Sequence, residues 1–523
     1  MRLARRAHLI GGATSGIMAA LALPPFDLWP LAFVALVPLA RALSDPEPDE
    51  AVRTGFAFGA AYYGILLHWV PITLHGVVPL GALSGVLFLG IMTGLGGAQA
   101  LVLRELIVRR GVPVALALPV VFAGTELLLA HLGPLSVPWI SLSLSLSSVP
   151  EMAGIAEWVG ATGVTFWIAA VNGGASAALG AASFSPRALA IALATILLGV
   201  APAHWGIRRA ERLALVPLPP MLVAQLAIPR EDLVDSARRD ARASAGAERA
   251  VSEVERAEGP SPVLAVFPEA PWASAWSDTL EEELRGYAER LGSPLLAGVH
   301  LGPSGAGLAP AVGGRRNVAI LVDASGVEQA GAGRLGTPSR APSRLVHAKV
   351  RLVPGVERPG LIPGPGGGVL QVEGLSSGVL ICFEVAFAAD ARRYRAAGAE
   401  LLLNPSNDSW FRPNWEGVGS FAMAQHRAHL VLRTIETRMG AVRSSVGGEL
   451  LVVEPTGRVA LSRPAGGEGI ERVVPTTTRI VTGFVRFGDW VGWLSLLLLG
   501  AMLLQPPGPR GNGSLRAPRT PAA

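Results

Sequence analysis

The chain has 523 residues, 50% of them hydrophobic and only 16% charged, with a mean hydropathy of +0.44. Soluble domains carry roughly 25% charged residues, so this composition argues against a soluble enzyme and for a membrane protein of more than one domain. The net charge of +5 comes from scattered arginine, which is not the basic, aromatic-interleaved patch of a nucleic-acid binder.

In chain order, the first two hundred residues are apolar runs with short polar breaks. Candidate spans fall near 8–24, 28–43, 55–75, 79–103, 112–132, 156–180 and 187–204. Each is near the ~20 residues that a helix needs to cross a bilayer. The first two are expected as a tight hairpin around Pro24-Pro25-Phe26. A cleaved signal peptide explains the first run less well, because further spans follow at once. Arg2, Arg5 and Arg6 precede the first span, and Arg41, Arg53, Arg104, Arg109, Arg110 and Arg187 fall in alternate loops. The loops near 24–28, 76–78 and 133–155 carry no arginine. The positive-inside rule then puts the N-terminus in the cytoplasm and the chain outside after seven spans, near residue 204.

From 218 to 480 the character changes. Short apolar runs at 221–228, 263–267, 294–299, 318–323, 378–383 and 400–404 read as strands. Polar helical stretches at 231–257, 276–291 and 416–438 lie between them. The alternation predicts an α/β domain whose sheet is covered on both faces. Residues 440–446 and 449–454 read as a hairpin through Gly447-Gly448. The run 484–504 is an eighth expected span, returning the chain to the cytoplasm. The Pro/Gly/Arg-rich tail 506–523, with Arg510, Arg516 and Arg519, is expected to be disordered.

Two residue counts single out chemistry. Cys382 is the only cysteine, so no internal disulfide and no Cys-cluster metal site forms. Lys349 is the only lysine among 44 basic residues. A compact ammonium does what the guanidinium cannot. Glu269 follows the run VLAVF in FPEAPW, Lys349 and Glu357 lie eight apart in HAKVRLVPGVE, and Cys382 ends GVLIC. Ligands gather at the carboxyl ends of strands in open α/β folds, so Glu, Lys and Cys are expected to meet there. A carboxylate takes the thiol proton on attack, and an ammonium stabilises thiolate and oxyanion. The backbone N–H of Phe383 is a candidate second donor. The expected chemistry is acyl transfer through a thioester. Taken singly, each residue has a plainer reading: a buried small hydrophobe for Cys382, a turn residue for Glu269, a surface charge for Lys349.

These three segments resemble the Glu-Lys-Cys triad of the nitrilase, or carbon–nitrogen hydrolase, superfamily. With the membrane spans, nearly all of the chain resembles the bacterial apolipoprotein N-acyltransferase family. The resemblance runs through LALPPFDLWPLAFVALVPLARAL (21–43), GFAFGAAYYGILLHWV (55–70), VAQLAIP (223–229), the lysine loop, NPSNDSWF (404–411), RTIETRMGAVRSS (433–445) and FVRFGDW (484–490). It implies a multi-span α-helical membrane domain at 1–210, a periplasmic nitrilase-like αββα sandwich at 218–480, and a C-terminal transmembrane helix at 484–504. It implies Glu269 as general base, Lys349 as oxyanion and thiolate stabiliser, and Cys382 as nucleophile. Glu357 is implied to support the lysine, Glu384 is the acidic residue two past the cysteine, and Asn404, Asn407 and Asp408 shape the active-site loop. Trp410 and Phe411 are candidates for membrane or acyl-chain contact. The implied partners are a phospholipid acyl donor and a diacylglyceryl apolipoprotein acceptor in the bacterial inner membrane, with both termini cytoplasmic and with neither metal nor cofactor. The chain departs from the family pattern at Phe383, where tyrosine is usual, at LVPGVE, which lacks an aromatic, and at 230–241, which holds none.

Intramembrane polar residues suggest function by default. Glu126 and His68 are therefore candidates for interhelical hydrogen bonding or substrate contact, and Asn172 for helix packing. Two other readings share these residues: a membrane-anchored amidase with water as acceptor, and a non-catalytic membrane scaffold.

Overall fold

The computed structural model describes residues 2–44, 47–75, 78–181, 185–256, 261–302, 314–323, 343–357, 360–411 and 417–506. The tail expected to be disordered, from residue 507 on, and residues 76–77 of the arginine-free loop lie outside them.

The first part is helical. Gly81–Arg109, Pro150–Gly180 and Pro186–Glu211 are long and apolar enough to cross a membrane, and the pair Pro48–Leu67 and Trp69–His75, bent by 50°, is a fourth candidate. Only 6% of the apolar window of Pro186–Glu211 is buried against protein, so lipid is the medium that suits its surface. The run expected as a span at 28–43 is not one helix. It breaks into a 3-10 turn, Trp29–Phe33, and the six-residue helix Val37–Ala42, each with a proline in its first turn. Pro38 has no N–H to bond back toward the first piece and restricts the residue before it, so the first piece does not run on into the second. Asn172 stitches this segment down: its side chain accepts from Leu36 N and donates to Ala32 O and Ile168 O, each at 2.8 Å. The packing role expected for Asn172 is what it performs. Helices Pro48–Leu67 and Gly81–Arg104 meet backbone to backbone, since a Cβ on Gly55 would lie 2.3 Å from the Gly96 carbonyl oxygen. The C-terminal helix Trp490–Leu504 has 15 residues and is capped by Asp489, which accepts from Gly492 N.

Beyond Val216 the described residues form a 13-stranded sheet. Its centre is parallel, in the order Leu295–Leu301, Ala265–Val266, Met221–Leu226, Gly440–Val446, Leu401–Asn407, Leu375–Val379. Antiparallel Arg316–Val322 and Ser343–Ala348 extend one end. The expected hairpin is Gly440–Val446 with Leu450–Val453. Alternate residues of a strand face opposite ways, and the alternation reveals the layers. Leu222, Ala224 and Leu226 pack with Ala247 and Leu284 of helices Ser236–Arg256 and Asp278–Leu291. Met221 and Val223 pack instead with Leu401, Leu403, Leu450 and Val452 of the other half-sheet. Leu402, Ala441 and Leu451 turn away toward Leu430 and Val431 of helix Val418–Thr437. The sheet therefore folds over itself as helix, strand, strand, helix, which is the αββα arrangement.

Helix Val418–Thr437 also joins this domain to the N-terminal helices. Gln425 accepts from the indole N–H of Trp139 at 2.8 Å and of Trp69 at 3.3 Å, and donates to Leu66 O at 2.9 Å. Just past the helix, buried Arg438 pairs with Glu157 at 2.7 Å.

Candidate active site

Strands Ala265–Val266, Ser343–Ala348 and Leu375–Val379 all run the same way in the sheet, through two antiparallel steps in the case of the second. Their carboxyl ends share one edge, and there the chain presents Glu269, Lys349 and Cys382. Glu269 sits in a turn passing so close over Gly298 that a Cβ there would lie 2.4 Å from the Pro268 carbonyl oxygen. Lys349 directly follows its strand. Cys382 lies three residues past Val379, at the first position of the 3-10 turn Cys382–Ala386, with φ 50°. That left-handed value is rare for a residue with a Cβ and marks stored strain.

Lys349 Nζ donates to Glu269 Oε1 at 2.7 Å and to Glu357 Oε1 at 2.8 Å. Asn317 Nδ2 donates to Glu269 Oε1 at 2.6 Å, and Asn407 N to Glu269 Oε2 at 2.9 Å. Glu357 Oε2 accepts from Val353 N at 2.7 Å, which ties the carboxylate to its own loop. Burial lifts the Glu269 carboxyl above 4.5 despite the pull of Lys349. Burial opposes the Lys349 ammonium, but Glu269 and Glu357 outweigh it and hold the ammonium well above the usual lysine range. Burial, then the Glu269 charge, pushes the Cys382 thiol well up. A thiol thus lies beside a carboxyl of raised basicity and a fixed cation, an arrangement able to take up a thiol proton and to stabilise negative charge.

The supporting residues act through the backbone. Glu384 accepts from Ile381 N at 2.8 Å on one oxygen and from Val350 N at 2.7 Å on the other, clamping the cysteine turn to the lysine turn. His347 Nε2 meets the same carboxylate at 2.8 Å, and Tyr394 Oη meets His347 Nδ1 at 2.9 Å. Burial raises the Glu384 carboxyl, but His347 and these N–H donors bring it net below its usual range. Asn404 Nδ2 donates to Leu380 O at 2.6 Å and, less closely, to Cys382 O at 3.4 Å. Asn407 Oδ1 accepts from Ser409 N at 3.3 Å and holds the turn. Asp408 pairs with buried Arg443 and faces His426 Nδ1 at 3.2 Å.

A cavity of about 250 Å³ opens on Glu269, Lys349, Glu357, Cys382 and Asn407. Its remaining wall is mostly apolar, with Thr73 and Ser84 among its residues, and comes from both parts of the chain. Leu67, Trp69, Val70, Leu74, Phe88, Val137 and Trp139 contribute from the N-terminal helices, and Val353, Phe383, Trp410 and Phe411 from the α/β domain. Phe383 stacks on Trp139. Glu126 lies elsewhere. It accepts from Ser141 Oγ at 2.8 Å and Leu142 N at 3.0 Å, so its carboxylate anchors the loop that carries Trp139 and is not among the cavity's lining residues. His68 bonds its own turn at Ile65 O and packs edge-on to Phe421. Asn317, Tyr394, Gln425 and His426 carry no motif, and His347, two residues before Lys349, has no role assigned by its motif; all five become visible only once strands and helices are paired.

Cys382 Sγ, an Asp408 oxygen and a His426 nitrogen lie within 4.8 Å of one another. Asp408 is already paired with Arg443, and His426 is bonded to Cys382 O and Arg443. A cation there would sit against a buried guanidinium, so the donor set does not fit a metal.

Residues 15–174 match the family model for the apolipoprotein N-acyltransferase N-terminal domain, and residues 243–470 match carbon-nitrogen hydrolase. An apolipoprotein N-acyltransferase of Geobacter metallireducens is 27% identical over 94% of this chain and 93% of its own. One of Thermosynechococcus vestitus is 29% identical over 97% of each chain. The crystal structure of Saccharomyces cerevisiae Nit3, a member of branch 10 of the nitrilase superfamily, aligns over 51% of this chain and 92% of its own. Its identity is 19% and its TM-score 0.36.

Proposed function

This chain belongs to the apolipoprotein N-acyltransferase family, and from that premise we propose that it moves an acyl chain from a membrane phospholipid, through a thioester on Cys382, to the N-terminal amine of a diacylglyceryl-cysteine on an apolipoprotein. The observation that carries this reading is the single cavity shared by Glu269, Lys349 and Cys382 on one side and by apolar side chains of the N-terminal helices on the other. A water-soluble amide needs no wall of that kind; an acyl chain does.

In the first half-reaction Glu269 takes the Cys382 proton as the sulfur attacks the ester carbonyl. Lys349 and the Phe383 N–H receive the charge on the tetrahedral oxygen. Collapse expels the lysophospholipid alkoxide, which takes the proton back from Glu269. In the second half-reaction the neutral α-amine attacks the thioester and gives its proton to Glu269. The thiolate leaves and is reprotonated. Glu357 holds Lys349 toward the oxyanion, and Glu384 holds the two turns in register. Trp410 and Phe411 bound the acyl chain. Catalysis here is positioning and preorganised charge.

We assign residues 1–210 and 484–504 to the bilayer and 218–480 to its periplasmic face in the bacterial inner membrane. The arginine distribution supports this, as do the apolar helices. A domain tethered at both ends reaches a lipid ester without drawing it into water.

The test is product identity. Reconstituted protein with phospholipid of defined acyl composition and a diacylglyceryl-cysteinyl peptide should yield lysophospholipid and N-acyl peptide in equal amounts. Free fatty acid as the main product would instead identify a hydrolase with water as acceptor.

A further inference from the structure

Cys382 is held in a backbone conformation that its residue type disfavours, with φ 50°. Such a conformation persists where the surroundings over-determine it. The Cys382 carbonyl oxygen lies 3.0 Å from His426 Nε2 and 3.4 Å from Asn404 Nδ2. A carbonyl only accepts, so His426 Nε2 carries a proton. Nδ1 lies 2.7 Å from Arg443 Nη2, which only donates, and 3.2 Å from Asp408 Oδ1, which only accepts. Arg443 is itself paired with Asp408, and all three side chains are buried. Whichever of these partners Nδ1 bonds, the proton on Nε2 stays on the Cys382 carbonyl. His426 also stands next to Gln425, the residue that holds Trp69 and Trp139. The same turn of helix Val418–Thr437 thus touches the cavity's aromatic wall and the backbone of the cysteine.

We propose that His426 is a positioning residue for Cys382: its Nε2–H anchors the carbonyl of the left-handed turn and so keeps the thiol in line with Glu269 and Lys349. This rests on the reading of Cys382 as the nucleophile. His426 is not the base, because its Nε2 proton is committed to a carbonyl and its Nδ1 faces a guanidinium.

The test is single-turnover acylation of Cys382 in the reconstituted full chain, comparing His426→Phe, His426→Gln and His426→Asn, with folding followed by thermal melt. A glutamine amide nitrogen reaches the Nε2 position, whereas an asparagine amide reaches only the Nδ1 position. Misplacing reacting groups by about 1 Å costs about 10²-fold in rate, so the Phe variant should slow acylation by about that factor with the KM for phospholipid changed by less than about threefold. Gln should recover to within about tenfold of wild type, and Asn should stay as slow as Phe, on the same scale. If Phe fails to fold, the Gln and Asn variants, both polar amides, carry the comparison alone. Gln as slow as Asn, or Phe at the wild-type rate, overturns the proposal while leaving the nucleophile in place. No acyl mass on the wild-type Cys382 peptide overturns the nucleophile reading itself, and this proposal with it.

Discussion

Trp139 stacks on Phe383, with ring centroids 5.8 Å apart and planes inclined by 25°. The first ring comes from a loop of the N-terminal helical region and the second is the residue after Cys382. The contact makes the acyl-chain wall and the cysteine turn one packed unit. Trp139 also gives its N–H to Gln425 and lies within ring contact of His426 and His429.

Removing that ring should hurt lipid chemistry most. Trp139→Ala should slow acylation from a long-chain phospholipid at least about tenfold more than acylation from a short-chain soluble ester, since each chain methylene that the ring keeps from water contributes about 0.8 kcal/mol and two of them already exceed a factor of about ten. The comparison of the two donors checks this. Equal losses on both would mean that Trp139 serves the turn alone and not the chain.

Lys349→Arg should be nearly as damaging as Lys349→Ala. The ammonium is enclosed by two carboxylate oxygens at 2.7 and 2.8 Å and is 1% exposed. A planar guanidinium is larger and spreads its charge, so it has to displace Glu269 or the substrate carbonyl. Losing an oxyanion donor costs about 10²–10³ in rate. Acylation by the Arg variant at the wild-type rate would show that Lys349 supplies charge only.

The pH dependence of acylation should show an acid limb above 4.5, because burial raises the Glu269 carboxyl and only the carboxylate takes the thiol proton. The Asn317 hydrogen bond acts to lower that pKa. Asn317→Ala should therefore move the acid limb to higher pH. A limb that stays in place would assign it to another group.

Glu384 should show itself in stability. Its carboxyl lies below the usual range when folded, so the stabilisation it provides is fully present above the unfolded value near 4.5 and is lost as pH falls through the folded value. Melting temperature should drop across that window in wild type and change less in Glu384→Gln. At neutral pH the same substitution should cost about 1.5–3 kcal/mol, the usual contribution of a hydrogen bond to a charged group. Denaturant melts at the two pH values measure both effects.

Much of the site was legible because its chemistry is concentrated in rare residues. One cysteine, one lysine and a glutamate just after a strand mark three points, and parallel pairing brings the strand ends to one edge. The pairing partners were not legible. Asn317 reaches Glu269 across 48 residues and His426 reaches Cys382 across 44, contacts that exist only after the sheet and helix Val418–Thr437 are in place. The segment at 28–43 misled for a different reason. Hydropathy averages over the run, while Pro38 acts at a single position and divides it into a short turn and a short helix. The sequence marks Glu126 as an intramembrane polar residue, but its partners are the Ser141 hydroxyl and the Leu142 N–H of a loop, and no sequence pattern announces a loop anchor.

The most direct measurement is the mass of the Cys382 peptide after reconstituted protein is incubated with a phospholipid of one known acyl chain. The expected result is a mass increase equal to that acyl group less one hydrogen, absent in Cys382→Ala and discharged when a diacylglyceryl-cysteinyl peptide is added, with the acyl group recovered on its amine. N-acyl peptide formed at full rate by Cys382→Ala, or formed by wild type without any acyl mass on Cys382, would contradict a thioester path.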